Sequence, residues 1–272
     1  MKKVTWLSGM PRSGTTWLSQ IFASSPDVRL KFCPLFSYEF KNLLNEQNTK
    51  ADWKIFFEDV YKTKSDYLDQ DYLRNAGLIP TFLEKHTHPE NLVIKSTRFH
   101  NLLPKILQLN KNLVVVHIVR HPCASIYSWL NNPFEFPETA DPAIEWNSGA
   151  CRKTGYGEFW GFSDWKSTTE QALSLAKVYP SRFKVIRYEN LVETPMEVIQ
   201  QVFDFCGIAM QEQTSDFLAL STNKHDVSKR SVFKDPKKNS KWQEHLNPNI
   251  VNEILADVEN SELHQFTLKV NE

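Results

Sequence analysis

An α/β fold, with a central parallel β-sheet flanked by helices on both faces, is predicted for this 272-residue chain by three observations. Short apolar or β-branched runs alternate with longer segments of helical period. One run, Leu113–Val119, is apolar almost throughout, and a glycine-containing loop joins the first run to the first helix. A strand buried on both faces must be apolar along its whole length, and strands alternating with helices give right-handed parallel crossovers.

Taken in order, strands are expected near 3–8, 92–95, 113–119 and 183–188, and helices over 15–24, 50–62, 100–109, 122–131, 165–178, 195–206 and 248–257. The first strand is the run 4–7, and the first helix follows Gly14. Pro122 breaks the strand that ends near Arg120 and suits the first helical position. Thr194 before Pro195, and Asn247 before Pro248, are helix start signals. A chain of this length with this alternation reads as a single domain over 1–272, with its ligands at the C-terminal edge of the strands.

Composition narrows the function. Lys plus Arg number 32, as do Asp plus Glu, so the net charge is zero and a general nucleic-acid binder is not expected. Cys33, Cys123, Cys151 and Cys206 are scattered without a C-x-x-C pair, which fits reduced thiols and gives no metal site. The few apolar residues after Met1-Lys2-Lys3 are too short for a signal-peptide core or a membrane span, so a cytoplasmic protein without membrane partners is expected.

The first loop, Met10-Pro11-Arg12-Ser13-Gly14-Thr15-Thr16-Trp17, carries the most information. A strand, a tight loop and a helix N-terminus aim backbone N–H groups into one concavity, where the helix dipole also favours negative charge. Gly9 and Gly14 keep the G-x-x-x-x-G spacing of a Walker A loop, but Thr15 and Thr16 stand where that loop needs Lys and then Ser or Thr. The cation that reaches the β- and γ-phosphates is therefore missing, and Arg12 supplies one from inside the loop. The fold is P-loop-like, and the loop suits a 5′-phosphate carrying a transferable group.

This loop resembles that of the PAPS-dependent sulfotransferases, which use 3′-phosphoadenosine-5′-phosphosulfate (PAPS) and carry Pro-(Lys/Arg)-Ser-Gly-Thr-Thr-Trp. The resemblance implies that Arg12, Ser13, Gly14, Thr15 and Thr16 hold the 5′-phosphosulfate and that Trp17 stacks on the adenine. It extends to Arg120 and Ser128, which by resemblance bind the 3′-phosphate, with Ser125 as a weaker match. Tyr188, in Tyr188-Glu189-Asn190-Leu191, is expected against the base. Basic residues before Trp242 are expected to close over the 3′-phosphate, with Lys237 first and Lys238, Arg230 and Ser231 behind it.

Sulfuryl transfer is an in-line displacement that needs charge stabilised on the leaving phosphate, an oriented acceptor and commonly a base. Arg12 and the loop N–H groups meet the first need, and Lys95, ending the strand 92–95, is expected to help. The stretch from Lys95 to Leu102-Leu103-Pro104 resembles the family segment that begins Lys-Thr-His, but Thr97 stands where the family has its histidine base. Threonine cannot do that work at neutral pH. His100, one helical turn on, and Glu39, in the region from which other branches supply a carboxylate, are the two candidates.

The acceptor should be read by 133–165, where Phe134, Phe136, Trp146, Tyr156, Phe159, Trp160, Phe162 and Trp165 are interleaved with Glu135, Glu138, Asp141, Glu145, Glu158 and Asp164. Aromatic faces beside carboxylates suit a small cationic or amine-bearing acceptor such as an alkaloid or guanidinium compound, while aromatic platforms also suit a carbohydrate. Two other classes share the loop. One is an atypical nucleotide kinase, against which Thr15 speaks, and the other is a catalytically silent nucleotide-binding protein, which Thr97 suggests.

Overall fold

The structure is a computed structural model that describes residues 3–223 and 240–269. Its elements in chain order are β1 (Lys3–Ser8), α1 (Thr15–Ser24), β2 (Val28–Phe32), α2 (Lys50–Lys62), α3 (Asp71–Asn75), β3 (Asn91–Ser96), α4 (Leu103–Leu109), β4 (Leu113–Val119), α5 (Pro122–Leu130) and α6 (Pro142–Ser148). There follow α7 (Gly161–Val178), β5 (Phe183–Arg187), α8 (Tyr188–Glu193), α9 (Pro195–Cys206), α10 (Glu212–Asn223), α11 (Lys241–His245) and α12 (Pro248–Val258). The five strands form one sheet in the order β2-β3-β1-β4-β5, and every adjacent pair is parallel.

Alternation along each strand sends side chains to opposite faces. Trp6, Ile94 and Val115 enter one core with Trp53 and Phe56 of α2, while Leu7, Val93 and Val116 enter the other with Phe22 of α1 and Phe203 of α9. Helices therefore cover both faces, as β4, buried along its whole length, requires. A third apolar cluster joins α5, α7 and α12 and includes Trp129, Trp165 and Ile254. Among the described residues, no helix is long and apolar enough to cross a membrane.

Several boundaries differ from the sequence expectation. The edge strand β2 was not expected, because Arg29 and Lys31 alternate with its apolar residues. Lys31 is nonetheless only 2% exposed, since its Nζ donates to Asp69 at 2.7 Å and to the carbonyl of Thr63. Helix α7 starts four residues earlier than expected. Tyr188 opens helix α8 instead of ending a strand. The expected helix over 100–109 begins as a single 3-10 turn, His100–Leu102, after Phe99 takes a left-handed backbone at φ 59°.

Candidate active site

The loop between β1 and α1 is closed by Ser13 N–H donating to the Met10 carbonyl at 3.2 Å. Arg12 sits in the left-handed region at φ 70°, and Gly14 follows at φ 89°. Gly14 is required twice over, by that φ and by proximity, because a Cβ there would lie 2.3 Å from the Tyr188 ring. No side chain caps the N-terminus of α1, in contrast to α2, which Thr49 and Asp52 close with a capping box. The first-turn N–H groups of α1 thus retain their capacity to bind an anion.

Groups from four strand ends converge on this loop. Lys95, at the end of β3, donates from Nζ to Thr16 Oγ1 at 2.9 Å and lies 4.7 Å from the centroid of the Phe32 ring. It is 4% exposed, and burial pulls its ammonium down to about 8. Arg120, after β4, donates from Nη1 to the Arg12 carbonyl at 2.9 Å and stacks 4.9 Å over the Tyr188 ring. Arg12 donates from Nε to Ser128 Oγ on α5 at 3.1 Å. Trp17 and Tyr188 stand edge to face at 6.4 Å, and Trp17 Nε1 is fixed by donation to Ser221 Oγ on α10 at 2.9 Å. Ser13 is fully buried below the loop, with its hydroxyl unpartnered.

One cavity of about 400 Å³ is lined by these groups except Ser13 and Ser128, the latter reaching it only through its bond to Arg12. Arg12, Lys95, Arg98, Arg120 and Arg152 line it, and Glu135 is its single carboxylate among the described residues. Arg12 lies 3.5 Å from Glu135 Oε2, which also accepts from Asn132 Nδ2 at 2.9 Å. Arg98 is paired with Glu158, and both are nearly buried. Phe32, Cys33 and Phe36, at and after the end of β2, line the cavity together with Phe134 and Trp160.

Neither residue expected as the base lines this cavity. His100 is 1% exposed beneath β1, with its Nδ1 3.1 Å from Ser8 Oγ and its ring 4.9 Å from Phe159. Burial holds it neutral, with its pKa lowered to about 4. After the left-handed turn at Phe99, His100 is buried in the core and does not line the cavity. Glu39 is exposed on the segment after β2, where hydrogen bonding to Ser65 holds its pKa below the usual carboxylate value. Thr97, aligned with the family histidine, does line the cavity. Lys237 and Lys238, with Arg230 and Ser231, lie outside the described residues. Trp242, which follows them, packs 4.3 Å from the His121 ring beside Arg120.

The aromatic and acidic stretch 133–165 is divided between core and cavity. Phe136, Trp146, Phe162 and Trp165 are buried in the third apolar cluster. Asp141 caps α6, Glu145 accepts from Cys151 N–H, and Asp164 pairs with Lys153 at 2.8 Å. Glu138 is exposed. Only Phe134, Glu135, Arg152 and Trp160 of the stretch line the cavity. Sequence reasoning did not single out Glu135 from the other five carboxylates, and it missed Asn132, Arg98, Arg152, Ser221 and Thr222. For Glu135 a signal existed in its place seven residues after Ser128. The hydroxyls at the end of α10 carried none.

Comparison with known proteins agrees with this architecture. The model described as "Sulfotransferase family" matches residues 6–212. An uncharacterized protein of Aquifex aeolicus (strain VF5) is 23% identical over 286 residues, and the match covers 99% of this chain but 35% of that protein, so the chain spans only part of its relative's length. A mouse sulfotransferase solved in complex with PAP shares 15% identity at a TM-score of 0.54, covering 97% of this chain and 88% of that one. The sulfotransferase domain of the Synechococcus PCC 7002 olefin synthase shares 17% identity at a TM-score of 0.53, covering 90% and 88%. At these identities the two structures establish the fold. With the family match running from β1 to the start of α10, the chain belongs to the sulfotransferase family.

Proposed function

We propose that the protein transfers the sulfuryl group of PAPS to a hydroxyl or amine of a small acceptor by in-line displacement, with Glu135 as the base. The observation that carries the donor reading is the convergence of an uncapped helix N-terminus, Arg12, Lys95 and Arg120 with the Trp17–Tyr188 pair in one cavity. The loop N–H groups, Arg12 and Lys95 would hold the 5′-phosphosulfate. Arg120 and Ser128 would take the 3′-phosphate, and Trp17, Tyr188 and Ser221 the adenosine. The PAP bound in the mouse relative supports this donor.

In the displacement, the acceptor atom bonds to sulfur as the bond from sulfur to the 5′-phosphate oxygen breaks, and that electron pair remains on the released bisphosphate. Arg12 and Lys95 stabilise the charge that collects there. The acceptor proton goes to Glu135. Both side-chain contacts of Glu135 use Oε2, which leaves Oε1 to receive it. An anion in the loop competes for Arg12 and loosens its hold on Glu135, so that filling the donor site readies the base. His100 and Glu39 do not line the cavity, which favours Glu135 over both.

A cationic acceptor finds little support, because among the described residues Glu135 is the one carboxylate in the cavity and it pairs with Arg12. Calorimetry with PAP, and with ATP plus Mg²⁺, tests the donor. Binding of PAP together with transfer of label from radiolabelled PAPS to an acceptor supports the reading. Binding of ATP with Mg²⁺ but not of PAP would turn it toward a kinase.

A further inference from the structure

We infer that the acceptor carries a carboxylate and that Arg152 binds it; this rests on reading the cavity as a sulfuryl-transfer site. Four of the five cations that line the cavity already have work. Arg12 is shared between Glu135 and Ser128, Lys95 donates to Thr16, Arg120 holds the loop carbonyl and covers Tyr188, and Arg98 is paired with Glu158. Arg152 has no carboxylate within 4.0 Å among the described residues. Its Nε is buried without a hydrogen-bond partner.

The position of Arg152 is built into the fold. The guanidinium lies 5.5 Å from the centroid of Trp160, which is itself 5% exposed and lines the same cavity. Its turn between α6 and α7 is pressed against Trp160, for a Cβ on Gly149 would lie 2.4 Å from the Trp160 carbonyl carbon. Gly149 stands at φ 61°, and its carbonyl accepts the Arg152 N–H at 3.1 Å. A side chain other than glycine at 149 would push the turn off the tryptophan.

A buried guanidinium N–H without an acceptor is unfavourable, and the planar fork pairs bidentately with a carboxylate as it does with a phosphate. The neighbouring surface is aromatic, with Trp160 beside it and Phe134 lining the same cavity. An acceptor with an apolar or aromatic body, a nucleophilic hydroxyl or amine near Glu135 and a carboxylate on Arg152 satisfies every feature of this wall. The Trp17–Tyr188 pair is carried by α1 and α8, whereas Arg152 is carried by the turn between α6 and α7, and PAP affinity in an Arg152 variant separates the two ligands.

The test uses hydroxy acids, such as 4-hydroxyphenylacetate and 3-(4-hydroxyphenyl)propionate, each paired with its methyl ester. Binding is measured by calorimetry and thermal shift on the full chain, with and without saturating PAP. The acids should bind at least tenfold more tightly than their esters. Arg152→Met should abolish that preference while leaving ester binding and PAP affinity within twofold, and Arg152→Lys should retain part of it. Equal binding of acid and ester, absence of acid binding across the set, or equal weakening of both by Arg152→Met overturns the inference. A loss of PAP affinity in the variant overturns it too, by assigning Arg152 to the donor. Should Arg152→Met not fold, the acid-to-ester comparison on the unmodified protein and on Arg152→Lys decides the matter. Failure of PAP to bind any form would instead sink the sulfuryl-transfer reading, since acid and ester are also compared without PAP.

Discussion

Arg12 of the phosphate loop holds the Glu135 carboxylate at 3.5 Å while its Nε donates to Ser128 at 3.1 Å, so the cation proposed for the donor is also the partner of the proposed base. A pair of this exposure contributes little to folding, which makes its effect on chemistry separable from stability. Glu135→Gln keeps the shape and removes the proton acceptor. Turnover should fall by about 10²–10⁴-fold, the usual worth of general base catalysis. PAP affinity should hold or rise, because Arg12 no longer faces a competing carboxylate. Initial rates at saturating PAPS, together with calorimetry, check both halves, and full activity in the variant would remove Glu135 from the mechanism.

Lys95 gives a prediction in pH. Burial lowers its pKa to about 8, so in the free protein the charge that attracts the donor phosphate is complete near pH 6.5 and is lost as pH rises through about 8. The affinity for PAP should weaken across that interval. Lys95→Gln should flatten the profile and reduce turnover by roughly 10²–10³-fold, as expected for loss of a group that stabilises transition-state charge. Lys95→Arg should move the inflection out of the measured range. An unchanged profile in Lys95→Gln would assign the titration elsewhere.

Gly14→Ala tests the loop. A left-handed backbone costs a non-glycine residue about 1–2 kcal/mol. The added carbon also meets the Tyr188 ring at 2.3 Å, so the ring must move from the adenosine slot. PAP affinity should fall at least tenfold and the melting temperature by several degrees. Calorimetry and a thermal melt measure the two effects, and native PAP affinity would show that the slot tolerates the shift.

His100 predicts the acid limb of stability. Its pKa is lowered by burial from 6.5 to about 4 in the folded chain, so the unfolded chain binds the proton first as pH falls. The stabilisation is complete above pH 6.5 and declines as pH falls toward about 4, by on the order of 3 kcal/mol for this shift. His117, bonded to the same Ser8 hydroxyl at 3.1 Å and lowered to about 3, acts in the same direction. Urea melts from pH 7 to pH 4.5 should show the loss, and His100→Asn should reduce its slope. Turnover per folded molecule at pH 7 should persist in His100→Asn, which contrasts with a role as the base.

Local features and the layered parallel sheet of this chain were legible in the sequence, and particular long-range side-chain contacts were not. Helices α9 and α12 begin where Thr194-Pro195 and Asn247-Pro248 set them, because those signals lie within a few residues of each other. The loop from Met10 to Trp17 was readable for the same reason. Strand β2 was hidden because its Lys31 is buried by pairing with Asp69, a contact 38 residues away in the chain. His100 looked available because spacing gives reach but not direction, and after the left-handed Phe99 it is buried in the core. Glu135 could not be chosen among six nearby carboxylates until Lys153, Arg98 and the helix caps had claimed their partners.

The strand order has an evolutionary consequence. With β1 in the middle, Arg120 and Tyr188 follow the strands on one flank, while Phe32, Cys33, Phe36, Lys95, Thr97 and Arg98 follow the strands on the other. Of the second group, Lys95 is bonded to the phosphate loop, through Thr16 Oγ1 at 2.9 Å. Inheritance can therefore hold one flank constant while the other drifts, so that new acceptors arise without rebuilding the donor site. A library randomised at 33, 36, 97 and 98 would search acceptor chemistry at nearly constant affinity for the bisphosphate.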